Sequence, residues 1–249
     1  TKQASIEYYH SPYIDYVISI FMFLSGINFT LLLLMFNGKI KKFIHDAELK
    51  FYFWCVSFFT IFIAVWLHQT SSMEIEEAFR KSLFQVISLQ TSTGFATADY
   101  MLWPSILWGC LVITGGIKCI RMVILFQVVK NEFKHILHPN AVLPVRVNKQ
   151  VIPPSIQSTV LAFTFLYAVI AIISILIMMG LGVGFLESIG TVISSMGNMG
   201  PGLGTCGPAF SWSELPDAAK WLLSFLMLLG RLELFTVLLL FTSDFWKKN

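Results

Sequence analysis

Charged residues are scarce in this sequence, where Asp, Glu, Lys and Arg together make up 12% of the 249 residues. Soluble globular domains carry about 25%. Hydrophobic residues reach 56% and aromatic residues 15%, which leaves too few polar side chains to cover a surface exposed to water. The composition therefore predicts an integral membrane protein. The net charge of +3 is too small to indicate nucleic-acid binding.

Cysteines and catalytic motifs are also few. The four cysteines show neither the spacing of a metal site nor a disulfide framework. The sequence contains no Gly-x-Ser-x-Gly, no His-Glu-x-x-His and no phosphate-binding glycine loop, so we expect neither an enzyme nor a bound cofactor. His135 and His138 have a spacing compatible with metal binding. The His138-Pro139 pair is, however, more typical of a helix that ends at the membrane surface.

Long apolar runs are abundant. Four of them approach or exceed the roughly 20 residues that a membrane-spanning helix needs, at 13–36, 51–67, 155–181 and 218–241. This pattern predicts an all-α membrane fold. The first run is too long for the core of a signal peptide. Because the chain begins at Thr1 rather than at a methionine, we expect that an earlier part of the protein precedes it.

A fifth apolar run is broken. It starts at Met101, meets Gly115-Gly116, and continues as an amphipathic stretch that contains Lys118 and Arg121. A glycine pair disfavours a straight helix, and two cations at membrane depth need water or carbonyl partners. We therefore expect something other than lipid to face this stretch.

The distribution of Lys and Arg predicts the orientation. Ten of the 17 lie after the first run, after the broken run and at the carboxyl end. Short loops rich in Lys and Arg face the cytoplasm, so these three regions are predicted to be cytoplasmic. The remaining connections then face outward.

Two of those outward connections contain glycine-centred turns, at 90–95 and 194–202, about 106 residues apart. An amphipathic segment precedes each turn, at 74–89 and 185–196, and neither segment is long enough to cross the membrane. We expect both to be re-entrant helices whose negative carboxyl ends favour a cation. Glycine-rich turns are often plain loops, but a duplicated turn favours a pore.

Four motifs carry a resemblance to a known family. They are Ser92-Thr93-Gly94-Phe95 with Asp99 downstream, Gly115-Gly116-Ile117-Lys118 followed by Ile120-Arg121, Asn198-Met199-Gly200-Pro201-Gly202, and Gly230-Arg231-Leu232-Glu233. Together they resemble the TrkH/KtrB superfamily of bacterial potassium-transport membrane subunits, and its TrkH branch in particular. The resemblance covers nearly the whole chain.

The resemblance implies a channel-like fold of four repeats in the bacterial inner membrane. Each repeat has a membrane helix, a re-entrant pore helix with a filter turn, and a second membrane helix. Residues 1–49 would then hold the last membrane helix of a preceding repeat and a cytoplasmic loop. Residues 50–149 would be a repeat with its filter at Gly94, and residues 150–249 a repeat with its filter at Gly200.

The resemblance also implies the site residues. Potassium, the transported ion, would be bound by backbone oxygens of the two filter turns, at Thr93, Gly94, Phe95, Asn198, Met199 and Gly200. Pore and gate positions would be Gly115, Gly116, Lys118 and Arg231.

Arg231 is conspicuous without the resemblance, because a charge within an apolar run needs water or a partner. Glu233 cannot simply pair with it, since residues two apart on a helix do not face each other. An ion pair with another helix is the alternative to a place in the pore.

One departure concerns the gate. The family's broken helix has a loop rich in Gly, Ser and Ala before the Gly-Gly-Ile-Lys element, and the stretch from Pro104 to Gly115 is about ten residues short of that pattern, a helix of only about 18 Å. Either the loop has been deleted or it is disordered and left out of the sequence. We favour the second interpretation, because gate loops are where order is lost.

The resemblance further implies a homodimer and a cytoplasmic nucleotide-binding regulatory subunit. Loops 37–50 and 131–150 are the candidate docking surface for that subunit, although their charge could serve topology alone. Two other functions stay open. One is a secondary transporter coupled to sodium or protons, and the other is a non-conducting membrane assembly protein.

Overall fold

The computed structural model describes residues 5–71, 73–115, 119–138, 144–148 and 150–232. Helices dominate this part of the chain, which confirms the predicted all-α class. The α-helices are α1 Pro12–Ser25, α2 Phe29–Phe36, α3 Ile40–Ile44, α4 Ala47–Ser71, α5 Ile75–Gln90, α6 Ser105–Thr114, α7 Cys119–Leu137, α8 Pro154–Gly180, α9 Phe185–Gly197 and α10 Asp217–Arg231. Short 3-10 helices span Ser5–Tyr9, Tyr100–Leu102, Gly204–Cys206 and Trp212–Glu214.

Two short strands form a small hairpin. They are β1 Arg146–Val147 and β2 Gln150–Val151, which pair antiparallel. Arg146 lies opposite Val151, and Val147 lies opposite Gln150.

Among the described residues, α4 and α8 are each long and apolar enough to cross a membrane, and α1 with α2 qualifies as one interrupted span. The sequence predicted a single run at 13–36, and the structure divides it. Ser25 ends α1, and the side chain of Asn28 accepts a hydrogen bond from the Thr30 amide at 3.0 Å. This cap starts a new helix, so the interruption has a local cause that the apolar pattern conceals.

The broken run and the last run agree with the sequence as far as they are described. Helix α6 ends at Thr114, directly before the glycine pair, and α7 begins at Cys119. Helix α10 ends at Arg231. The predicted gate residues Gly116 and Lys118 lie outside the described residues, as does the rest of the last apolar run.

The chain divides into two compact units. The first unit contains residues 1–26, 56–116 and 167–249, and the second contains 27–55 and 117–166. The second unit has a small core of Val123, Ile124, Val147 and Val160. The two units are defined by contacts within the chain and do not test the predicted repeats. The repeat boundaries at 49/50 and 149/150 therefore stay a prediction.

The core of the first unit includes residues of α5, and Leu186 and Ile193 of α9 pack against it. It is formed by residues of α4, α5, α6 and the loops that follow α5 and α9: Ile63, Leu67, Ala78, Val86, Leu89, Ala98, Tyr100, Trp103, Leu107, Leu111, Met199 and Leu203. Helix α5 packs against α1 and α6, and α9 packs against α10.

Helices α5 and α9 are enclosed although they are partly polar. They have 16 and 13 residues, or about 24 and 20 Å, which is less than the roughly 30 Å hydrocarbon core. Some of their buried hydroxyls bond back to their own helices, as Ser82 does to the Ala78 carbonyl and Thr191 to that of Glu187, whereas Ser194 Oγ and Ser195 Oγ of α9 are buried without a hydrogen-bond partner among the described residues. Such bonds satisfy polar groups away from water. Both helices therefore hold their carboxyl ends inside the unit.

Candidate functional site

The first turn, residues 91–95, closes the end of α5. The Thr93 amide donates to the Ser88 carbonyl at 2.9 Å, and the Ser92 amide donates to the Leu89 carbonyl at 3.2 Å. Ser92 and Gly94 are both left-handed, with φ of +55° and +77°. These two positions turn the chain back on itself. Glycine takes this conformation without strain, whereas serine rarely does.

The second turn, residues 197–201, closes the end of α9 in the same way. The Met199 amide donates to the Ser194 carbonyl at 2.9 Å, and the Asn198 amide donates to the Ser195 carbonyl at 3.2 Å. Asn198 and Gly200 are left-handed, with φ of +53° and +102°.

The two turns have equivalent backbones. Each residue of the first turn corresponds to the residue 106 positions later in the second turn, so that Ser92 corresponds to Asn198 and Gly94 to Gly200. The same hydrogen bonds and the same left-handed positions recur, although the side chains differ. The duplication inferred from the sequence therefore exists in the backbone. Sequence reasoning found the glycines but missed the left-handed Ser92, for which serine gives no local signal.

The two turns also contact each other. Ser92 Oγ donates to the Gly197 carbonyl at 3.0 Å. The Met199 carbonyl oxygen lies so close to Gly94 that a β-carbon there would overlap with it. A β-carbon on Gly200 would lie 3.8 Å from the Gly94 α-carbon, with space around it. The turns are therefore neighbours, and Gly94 is the tighter of the two glycines.

The carbonyl groups at the centre of each turn have no hydrogen bond from the described residues. This holds for five of the six predicted ligands, which are Thr93, Gly94, Asn198, Met199 and Gly200. The Phe95 carbonyl differs, because it accepts a hydrogen bond from Ser88 Oγ at 2.6 Å. Unpaired carbonyl oxygens need water or an ion, so the site is chemically able to coordinate a cation.

Tyr100 anchors the second turn. Its hydroxyl donates to the Gly202 carbonyl at 2.8 Å, and the Gly202 amide donates to the Cys206 carbonyl at 2.9 Å. Burial raises the pKa of the Tyr100 phenol above its usual range, so the hydroxyl stays a donor. No local signal indicates this role, since Gly202 lies 102 residues away from Tyr100.

Arg231 lies next to the second turn. The preceding Gly230 packs so closely against the Met196 carbonyl that a β-carbon would overlap with it. Asn198 Nδ2 donates to the Met227 carbonyl at 3.3 Å, one helical turn before Arg231. Arg231 itself is exposed and forms no ion pair within the described part of the chain.

Gly115 also contacts the second turn. A β-carbon on Gly115 would overlap with the sulfur of Met199 and would lie 3.4 Å from the Leu89 carbonyl oxygen. The structure thus brings Gly115 and Arg231 to the second turn, and their role as pore residues stays a prediction.

The geometry can be compared with known proteins. The family model described as TrkH, cation transport protein, matches residues 1–248. The Trk system potassium uptake protein TrkH of Escherichia coli (strain K12) is 35% identical over 100% of this chain and 54% of its own length. The Trk system potassium uptake protein TrkG of the same strain is 35% identical over 99% of this chain and 53% of its own.

A solved structure is also similar. The crystal structure of the potassium transporter TrkH from Vibrio parahaemolyticus matches with a TM-score of 0.90 and 30% identity, over 98% of this chain and 55% of that chain. The chain thus spans about half the length of the relatives it matches.

Substituting Gly94 by alanine should destabilise the first turn. The change places a β-carbon against the Met199 carbonyl oxygen and forces a non-glycine residue to a φ of +77°. We expect a loss of about 2 kcal/mol or more in the free energy of unfolding, measured by thermal unfolding of the intact protein in detergent.

Gly109→Ala is the matched control, because Gly109 lies within α6 with nothing within 4 Å of its added β-carbon. It should leave the melting temperature unchanged or raise it slightly. Equal stability of the two variants would contradict the turn geometry.

Proposed function

The chain belongs to the TrkH family of cation transport proteins, and from this we propose that it forms part of a potassium-conducting pore. The two turns, 91–95 and 197–201, supply half of a filter of four turns. The other half belongs to the remainder of the intact protein, in the bacterial inner membrane. The potassium named for the relatives in Escherichia coli and Vibrio parahaemolyticus supports the choice of ion.

The pair of equivalent turns carries this proposal. Five carbonyl groups without hydrogen bonds from the described residues lie on two backbones that contact each other. Rings of backbone carbonyls replace the water around an ion in potassium filters. The helix ends behind them add partial negative charge, which favours a cation. This arrangement is typical of channel-like conduction rather than of a coupled transporter or a non-conducting assembly protein.

The proposal predicts potassium flux that depends on Gly200. The intact protein in proteoliposomes should take up potassium in preference to sodium. Gly200→Ser should lower that preference at least fivefold, because the added side chain has room but requires a φ of +102° and shifts the carbonyls.

Gly182→Ser is the matched control. Gly182 has a φ of +87° in the loop between α8 and α9 and also has open space around it, so it carries the same backbone strain away from the turns. Its permeability ratio should equal that of the wild type. A Gly200→Ser protein with unchanged selectivity, or a wild type without flux, would refute the proposal.

We further propose that Arg231 lies on the ion path beneath the filter as a barrier to cations. A guanidinium stays charged in proteins, so it must find water or acceptors. The exposure of Arg231 beside the second turn supports a place in a hydrated pore. At about 6 Å and an effective dielectric constant near 20, its repulsion of a cation is about 3 kcal/mol.

Replacing Arg231 by alanine should therefore increase potassium uptake several-fold per folded protein in proteoliposomes. The competing explanation is an ion pair that holds helices together in the intact protein. In that case Arg231→Ala would reduce uptake and lower the melting temperature.

The proposed docking surface for a cytoplasmic regulatory subunit lies in the second unit. The two predicted loops meet there, because Asn148 Oδ1 accepts from the Ala47 amide at 2.7 Å and Asn148 Nδ2 donates to Asp46 Oδ2 at 2.5 Å. Arg146 on β1 lies beside this junction. Lys149, part of the same predicted surface, lies outside the described residues.

Reversing the charges of Lys134 and Arg146 together with Lys149 should weaken co-purification of the regulatory subunit at least tenfold while membrane insertion is retained. The control is Lys220→Glu, on the side predicted to face outward, which should have no effect on binding. Full binding of the triple variant at physiological salt would show that these charges serve topology alone.

A further inference from the structure

Residues 5 and 6 contact the backbone just beyond the first turn. The Ile6 amide donates to the Ala96 carbonyl at 3.0 Å. The Ala96 amide donates to Ser5 Oγ at 2.9 Å, and Ser5 Oγ donates to the Ala96 carbonyl at 3.2 Å. Ala96 is two residues after Gly94. Both backbone polar groups of Ala96 are thus bound by the segment 5–6, about 90 positions earlier in the chain.

The following helix, α1, contacts the first half of α5, the helix that leads into the turn. Arg80 Nη1 donates to Asp15 Oδ2 at 2.6 Å, which joins α5 to α1. Arg80 Nε donates to Glu76 Oε1 at 3.0 Å, and the Tyr16 hydroxyl donates to the same oxygen at 3.1 Å. The four side chains form one network between α1 and α5.

The Asp15–Arg80 pair is well shielded from solvent. The side chains of Asp15 and Arg80 are 9% and 14% exposed. Removing one partner of a buried pair leaves the other charge uncompensated, so each residue requires the other. The planar guanidinium also fixes the direction of approach. The pair therefore sets the position of α5 relative to α1 more firmly than an exposed pair would.

The second turn has a different anchor. Its backbone is tied at Gly202 by Tyr100 and by the Cys206 carbonyl, which also accepts from Trp212 Nε1 at 3.1 Å. The polar contacts described above for segment 5–25 reach Glu76 and Arg80 in α5, before the first turn, and Ala96 after it. The equivalent turns are thus held in place by unrelated contacts.

We propose that residues 5–25 act as a clamp on the first turn, with Ser5 and Asp15 as positioning residues for ion selectivity. The clamp holds the helix before the turn through Asp15 and the backbone after it through Ser5. The carbonyls of Thr93 and Gly94 lie between these two fixed points. This inference rests on the proposed function, and it makes the selectivity of one repeat depend on a helix that precedes that repeat.

The central experiment compares variants of Asp15 in the intact protein. Asp15→Asn keeps the shape of the side chain but removes its charge, and it should lower the potassium-to-sodium permeability ratio in proteoliposomes at least fivefold. Asp15→Glu restores the charge and should stay within twofold of the wild type. The control is Lys81→Gln, which removes the more exposed Lys81–Glu77 pair on the same helix and should leave the ratio within twofold of the wild-type value.

A variant outside the buried network separates positioning from folding. Ser5→Ala removes the hydroxyl that contacts Ala96 without disturbing Asp15 or Arg80, so the melting temperature should be unchanged. The permeability ratio should still fall at least twofold. Wild-type ratios in folded Ser5→Ala and Asp15→Asn would overturn the clamp and leave the proposed function intact.

Hydrogen exchange provides a readout that does not need flux. Amides 93–96 should exchange at least threefold faster in Ser5→Ala and in Asp15→Asn than in the wild type, while the equivalent amides 199 and 200 of the second turn should not change. A wild type that carries no potassium would refute the proposed function, but the exchange rates of amides 93–96 would still test whether residues 5–25 act as a clamp. Unchanged exchange at 93–96 would overturn it.

Discussion

Two backbone hydrogen bonds determine the form of the site. The Thr93 amide bonds to the Ser88 carbonyl and the Met199 amide bonds to the Ser194 carbonyl, each at 2.9 Å. Each bond folds the chain back over the end of a short helix, so the amides point toward the helix and the carbonyls of the turn are left without partners. The left-handed residues accompany this reversal, since helices commonly end with a residue in the left-handed conformation. Carbonyls without partners are what the proposed filter requires to bind a desolvated cation.

The rest of the first unit keeps these bonds in place. Ser82 in α5 and Thr191 in α9 bond to carbonyls of their own helices, which satisfies these hydroxyls away from water. Tyr100 ties down one turn and segment 5–25 the other, while Ser92 joins the two turns directly. In the proposed function this rigidity lets the carbonyls discriminate between ions, and Arg231 and Gly115 lie close enough to influence the path below them.

The sequence predicted what depends on local pattern. The bounds of α8 follow from its apolar run, and Gly94 and Gly200 follow from the need for glycine in a tight turn, whereas α4 extends four residues beyond the predicted run 51–67 at each end. It failed where a local capping signal is concealed by apolar neighbours, as at Asn28, which divides the first run. It also failed where the partner is distant. The bonds from Arg80 to Asp15 and from Tyr100 to Gly202 span 65 and 102 positions, and no periodicity in one sequence relates such residues.

The most direct measurement is the location of bound ions in crystals of the intact protein, with rubidium in place of potassium. The account predicts anomalous density within coordination distance of the carbonyl oxygens of Thr93, Gly94, Met199 and Gly200, on an axis shared with two further turns. Gly94→Ala should weaken this density, because it displaces the Met199 carbonyl. Rubidium bound only elsewhere, with these carbonyls hydrogen-bonded to protein or facing lipid, would contradict the claim that the two turns form a filter.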